Sequence, residues 1–315
     1  MYKKIAYLFP GQGAQYSGMA MDLLSSAAVS SLFDTASEIL GKDVKELLQS
    51  DADTLKRTDV SQPAITVANL AAAIFLGEKG YTPSVCAGFS LGEYAALVSA
   101  GIIDTVDCIR LVKIRGEVMQ KTADKLRGDG DISAAPGMAA VVGLEPAQVE
   151  ALIRQWNADG LNDLYAANIN SSKQVVVSGT AAALDEAQNR FKDAGAKRVI
   201  RLQVAGPFHS PLMADSITDF VKVLETVNFR DPAITILSNV TGKKICSGAE
   251  AKKLAVQQIT CPVRWVDEEA AIAECAVDVC FEVGPGKVLQ GLWKDTGSEI
   301  PVFGAGTKEE ILNLN

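Results

Sequence analysis

Histidine occurs once in this 315-residue chain, at position 209. The six cysteines, at 86, 108, 246, 261, 275 and 280, never form a C-x-x-C pair. One imidazole and no paired thiols argue against a structural zinc site, and the cysteines read as buried free thiols of a reducing cytoplasm. An excess of positive charge is also missing. The formal net charge is −8, which argues against nucleic acid as the main partner, since phosphate binding needs a basic face. No apolar run approaches the roughly 18 residues that span a bilayer. The run near the N-terminus meets Pro10-Gly11 too soon for a signal segment. A cytoplasmic chain without a membrane partner is expected. No internal repeat or low-complexity tract is present.

What remains is a composition suited to a substantial core, 48% hydrophobic and 22% charged. Ile5–Phe9 and Val85–Gly88 are short apolar runs closed by turn residues, as buried strands are. Gln62–Lys79, Leu91–Ala100 and Val106–Gln120 read as helices. The texture changes over Lys125–Pro136, rich in Gly, Asp, Ala and Ser, which predicts an exposed loop. Strand, helix, strand, strand, helix and strand then follow over Met138–Gly143, Pro146–Trp156, Leu164–Ile169, Gln174–Ser178, Ala181–Ala194 and Arg198–Leu202. That order is the ferredoxin-like pattern. Beyond it, Met213–Val227 reads as helix, and Thr235–Leu237, Val279–Val283 and Val302–Phe303 read as strands. Strands alternating with helices predict a mostly parallel sheet covered on both faces. The expected fold is a large α/β hydrolase-like domain of residues 1–130 and 203–315, with an inserted ferredoxin-like α+β unit of residues 131–202.

The sharpest local signal is Gly88-Phe89-Ser90-Leu91-Gly92, between a strand and a helix, the context of a nucleophile elbow. Such a turn exposes the serine hydroxyl, and the helix behind it offers free backbone N–H groups to an oxyanion. A serine needs a base to take its proton. If that base is an imidazole it is His209, which lies in the irregular segment Gly206–Pro211. Asp215 or a backbone carbonyl could orient the ring. Gly11-Gln12-Gly13 lacks the glycine spacing and the lysine of phosphate loops. It is either a plain strand-end turn or a second oxyanion donor beside Ser90. Arg115, mid-helix, is either solvated or the partner of a substrate carboxylate, which a guanidinium grips through two parallel hydrogen bonds.

Taken in order, Phe9–Gln15, Gly88–Glu93, Arg115-Gly116 with Met119-Gln120, Asn168–Asn170 with Gln174–Gly179, Phe208–Met213 and Glu282–Gly286 resemble the malonyl-CoA:acyl carrier protein transacylases of bacterial fatty acid synthesis. The resemblance covers nearly the whole chain. It implies a malonyl-Ser90 intermediate, His209 as base and then acid, and Gln12 and Leu91 N–H groups as oxyanion donors. It also implies Arg115 on the malonyl carboxylate and the Gln258 backbone carbonyl as the group orienting His209. Phe208 resembles the malonyl-selective form of the histidine motif. No cofactor is implied; malonyl-CoA is a substrate and acyl carrier protein the partner. The basic residues Arg190, Lys192, Lys197, Arg198 and Arg201 are a candidate docking face for that acidic carrier. Two departures stand out. Phe89 replaces the histidine usual before the nucleophile, and the Lys125–Pro136 stretch is longer than usual. A serine esterase or thioesterase, or a malonyltransferase serving a polyketide pathway, is the alternative reading.

Overall fold

The computed structural model describes residues 2–127 and 135–314. Its strands are β1 (Ile5–Phe9), β2 (Val85–Gly88), β3 (Gly137–Val142), β4 (Leu164–Ser171), β5 (Gln174–Gly179), β6 (Arg198–Arg201), β7 (Thr235–Ile236), β8 (Val279–Glu282) and β9 (Val302–Gly304). They form two sheets. The first has the order β7-β2-β1-β8-β9 with every pair parallel. The second has the order β4-β5-β3-β6 with every pair antiparallel. That second order, with helices Pro146–Ala158 and Ala181–Asp193 as its crossovers, is the ferredoxin-like arrangement expected from the sequence.

Strands β1, β2 and β8 are buried along their whole length. Both of their faces are covered, which is why they are nearly continuous apolar runs. The helix Thr58–Glu78 packs on this sheet's side of the core with Ala27–Leu40 and Thr105–Arg127. It begins four residues before the expected start. The Gln120 side chain accepts from the Thr58 N–H at 2.9 Å, capping an end that has no local sequence signal. Contrary to the sequence expectation, this 21-residue helix is long and apolar enough to cross a bilayer. Yet 83% of its most apolar window is buried inside the protein, so its hydrophobicity belongs to the core. The helix Ala27–Leu40, unread in the sequence, carries ordinary end signals: the Ser26 hydroxyl accepts from the Val29 N–H, and Gly41 closes it at φ 66°.

Helix Thr105–Arg127 corrects a second expectation. Lys125–Arg127, expected in the loop, are helical, because the Asp124 carboxylate accepts from Gln120 and pairs with Arg127, extending the last turns. Residues 128–134 of the predicted loop lie outside the described residues. Farther on, the expected Met213–Val227 helix is a 3-10 turn, Pro211–Ser216, followed by a short α-helix, Ile217–Leu224.

The two sheets meet along a cleft. One face of the antiparallel sheet packs its own helices through Val141, Val175 and Val177. The other face turns Met138, Ala140 and Val176 toward the core of the parallel-sheet unit.

Candidate active site

Loops leaving the C-terminal ends of β1, β2, β7 and β8 converge at one edge of the parallel sheet, where α/β folds carry their sites. The loop after β2 is the tightest. A Cβ on Gly92 would lie 2.0 Å from the Phe9 carbonyl oxygen, and one on Gly88 would lie 2.1 Å from the Gly92 carbonyl carbon. Only bare backbone fits, and the turn forces Ser90 to φ 51°, left-handed for an L-residue. That geometry lifts the hydroxyl clear of the strand end. The N–H groups of Gln12 and Leu91 have no hydrogen-bond acceptor among the described residues. Both residues line the same cleft as Ser90.

The Gly206–Pro211 segment meets this turn from the far side. His209 sits at φ 55° and is 3% exposed. Its Nε2 lies 2.7 Å from the Ser90 Oγ, and its Nδ1 lies 2.8 Å from the Gln258 carbonyl oxygen. A carbonyl only accepts, so Nδ1 carries the proton and Nε2 presents its lone pair to the serine O–H. Burial, reinforced by the positive charge of Arg115, pushes the imidazole pKa down to about 4, against the opposing pull of the carbonyl. The ring is therefore neutral at ordinary pH. Asp215 does not orient it: that carboxylate is exposed and pairs with Lys125. The helix Gly248–Gln257 ends just before Gln258 and so delivers the carbonyl to the ring.

Arg115 is fully enclosed, 1% exposed, on helix Thr105–Arg127. Its guanidinium lies over the Tyr94 ring at 5.4 Å, and Nη2 donates to Gln258 Oε1 at 3.2 Å. Nε has no partner. Among the described residues no carboxylate touches it directly, so a buried cation stands with an unfilled donor beside a serine–histidine pair. All three line one cleft of about 250 Å³, together with Gln12, Leu91 and Phe208. The opposite wall comes from the antiparallel sheet through Met138, Asn168, Asn170 and Val176. Phe208 is buried, and its carbonyl accepts from the Ser178 hydroxyl at 2.5 Å. Phe89 is half-buried and stacks edge-on against Trp265, ring centres 5.5 Å apart.

Beneath the turn lies a polar layer that sequence reading missed. Asn239, after β7, donates its backbone N–H to Glu93 Oε2 at 2.6 Å. Its Nδ2 donates to the Gly88 carbonyl at 2.6 Å and to Glu268 Oε1 at 2.8 Å. Gln258 Nε2 donates to the Ser90 carbonyl and to Asn239 Oδ1, each at 3.0 Å. Burial raises the Glu93 pKa to about 7 and pushes Glu268 well above the usual carboxylate range. The one available signal was the turn-rich Ser238–Gly242 run after a strand. Such runs are common enough that nothing marks Asn239 within it.

Of the basic residues foreseen as a docking face, Lys192, Lys197 and Arg198 are exposed. Arg190 is held by Glu186 and lies over Trp156. Arg201 borders a groove adjoining the cleft, with Lys56, Arg57 and Arg127.

This geometry matches known proteins over its full extent. The family model described as acyl transferase domain matches residues 6–311. The malonyl CoA-acyl carrier protein transacylase of Bacillus subtilis is 35% identical over 98% of this chain and 95% of its own length. The crystal structure of a malonyl-CoA:ACP transacylase from Synechocystis sp. superposes with a TM-score of 0.87 at 35% identity, over 99% of this chain and all of that one. A malonyl-transacylase solved in complex with its type II PKS acyl-carrier protein superposes with a TM-score of 0.89 at 34% identity, over 98% of both chains.

Proposed function

The chain belongs to the acyl transferase family, among its malonyl-CoA–acyl carrier protein transacylases, and from that premise we propose how its residues carry the reaction. It moves a malonyl group from malonyl-CoA to the phosphopantetheine thiol of acyl carrier protein, supplying fatty acid elongation. The observation that carries the reading is the buried guanidinium of Arg115 in the same cleft as the 2.7 Å Ser90–His209 contact. A hydrolase of neutral acyl groups has no use for it, whereas a malonyl group brings a carboxylate to fill its free donors.

His209 Nε2 takes the Ser90 proton as Oγ attacks the thioester carbonyl. The N–H groups of Gln12 and Leu91 receive the oxyanion. As the tetrahedral species collapses, the C–S bond breaks and the imidazolium gives its proton to the departing CoA thiolate. Malonyl-Ser90 remains. The carrier's thiol then gives its proton to His209 and attacks the ester, and Ser90 recovers its proton as the ester bond breaks. The Gln258 carbonyl holds the ring in the required tautomer throughout. Phe208 narrows the cleft beside the acyl α-carbon. One extra methyl there changes selectivity by about 1–3 kcal/mol, a preference rather than an exclusion. Every proton and bond in this sequence is handled by side chains, backbone and the two thiols, so no cofactor is needed. A cytoplasmic location suits the proposed substrates. The inserted unit, residues 131–202, supplies the second cleft wall, and its exposed Lys192, Lys197 and Arg198 form the docking face for the acidic carrier.

Intact-protein mass spectrometry after mixing with malonyl-CoA tests the reading. The expected result is one malonyl adduct on the wild type and none on Ser90→Ala. Arg115→Ala should reduce malonyl transfer at least about tenfold more than acetyl transfer, the worth of a lost charged hydrogen bond. Equal losses on both acyl groups would return the chain to the esterase reading.

A further inference from the structure

The amides of Asn239 and Gln258 are bonded to each other and hung on the backbone of the nucleophile turn. Asn239 donates to the Gly88 carbonyl and Gln258 to the Ser90 carbonyl, on either side of Phe89. A backbone carbonyl only accepts, so both NH2 groups are fixed toward the turn. Asn239 Oδ1 then meets Gln258 Nε2, and Gln258 is left with Oε1 as its one outward atom. That atom accepts from Arg115 Nη2, the only hydrogen bond the guanidinium makes among the described residues. Asn239 is 0% exposed, and Glu268 Oε1 closes its remaining donor. The amide pair therefore has one orientation, and a flip of either member would strand buried donors and acceptors together.

We propose that Asn239 is a positioning residue: acting through Gln258, it ties the Arg115 guanidinium to the nucleophile turn and sets where an acyl-chain carboxylate is held relative to Ser90. This rests on the reading of Arg115 as the carboxylate partner. The device links recognition to chemistry. The group that grips the far end of the acyl chain and the oxygen that attacks its near end share one rigid frame two side chains long. Asn239 touches neither substrate nor reacting atoms, and its loss shows as misplaced binding rather than a missing proton carrier.

The test compares transfer of malonyl and acetyl groups from their CoA esters to carrier protein by the full chain. The reading is the ratio of the two kcat/KM values. Asn239→Leu keeps the branched outline and the number of heavy atoms and removes the amide; its ratio should fall about tenfold, and Gln258→Leu, which retains the backbone carbonyl, should match it. The double variant should fall no further than either single, because both break one chain of contacts. Asn239→Asp keeps the oxygen that faces Gln258, so its ratio should stay within about twofold of wild type while both rates drop together. That variant decides the matter alone if Asn239→Leu does not fold. A purely structural asparagine would lower both transfers equally in the leucine variant, or add its loss to that of Gln258→Leu, and either result overturns the proposal. So does a fallen ratio in Asn239→Asp. Arg115→Ala runs beside them. If its ratio is unchanged, the assignment of the arginine fails; if its ratio falls and that of Asn239→Leu does not, the relay alone fails.

Discussion

The turn Gly88–Gly92 and the segment Gly206–Pro211 do the same thing by different means. Each holds its functional residue at a left-handed backbone angle, φ 51° for Ser90 and 55° for His209. The first is held by exclusion: its glycines press against neighbouring backbone at distances no Cβ tolerates. The second is held by polar contacts, with Ser178 donating to the Phe208 carbonyl, Ser210 to the Pro207 carbonyl and His209 to the Gln258 carbonyl. A methyl at a glycine of the first turn meets backbone that cannot move aside, whereas losing one polar contact of the second leaves the others in place.

The largest effect should follow from breaking the first side of that contrast. Gly92→Ala places a methyl on the Phe9 carbonyl, and it should cost more than about 4 kcal/mol in urea unfolding or leave the chain unfolded. A loss near 1 kcal/mol would mean the turn yields, and the steric account would be wrong. Next comes pH. His209 has its pKa lowered to about 4 from a usual 6.5, so between those values the unfolded chain binds a proton that the folded chain refuses. Stability from this source is full above pH 6.5 and drains away as pH falls toward 4. Glu93 and Glu269 run the other way. With pKa values raised to about 7 and about 8, they favour the folded state at low pH and lose that contribution as pH rises from 4.5 toward those values. Urea unfolding of His209→Asn should therefore diverge from the wild type as pH falls from 6.5 to 4, the variant gaining stability relative to the wild type toward acid because it lacks the histidine penalty; parallel curves would contradict the buried neutral ring. In the wild-type rate profile, the acid limb of kcat/KM should sit near pH 4 rather than 6.5. The smallest effect tests the second side of the contrast. Ser178→Ala removes one buried hydrogen bond and should cost about 1–2 kcal/mol, with the fold intact and kcat reduced. A collapse as complete as that of Gly92→Ala would erase the distinction between the two segments.

The same contrast explains what could be read in advance. Strands β1, β2 and β8 were legible because burial on two faces writes a continuous apolar run. The serine and histidine could be paired because the chain holds one imidazole. The supporting layer was not legible. Gln258 was named for its carbonyl alone; Asn239 and Glu268, and the bonds of the Gln258 amide, come together only when β7 seats beside β2. The segment Trp265–Glu274 received no reading from the sequence. In the structure Glu268 and Glu269 are buried, their chemistry set by helix packing that no spacing rule announces. The helical state of Lys125–Arg127 had a similar cause, a side-chain cluster on Asp124 outweighing composition.

The order of the segments along the chain has a consequence in time. Serine, tight turn and guanidinium are all encoded before residue 116, while the imidazole and the carbonyl that steers it come only after the inserted antiparallel unit. A chain emerging from the ribosome thus presents its alcohol long before anything can ionise it. Fragments that stop short of position 209 hold the nucleophile without the ring that takes its proton.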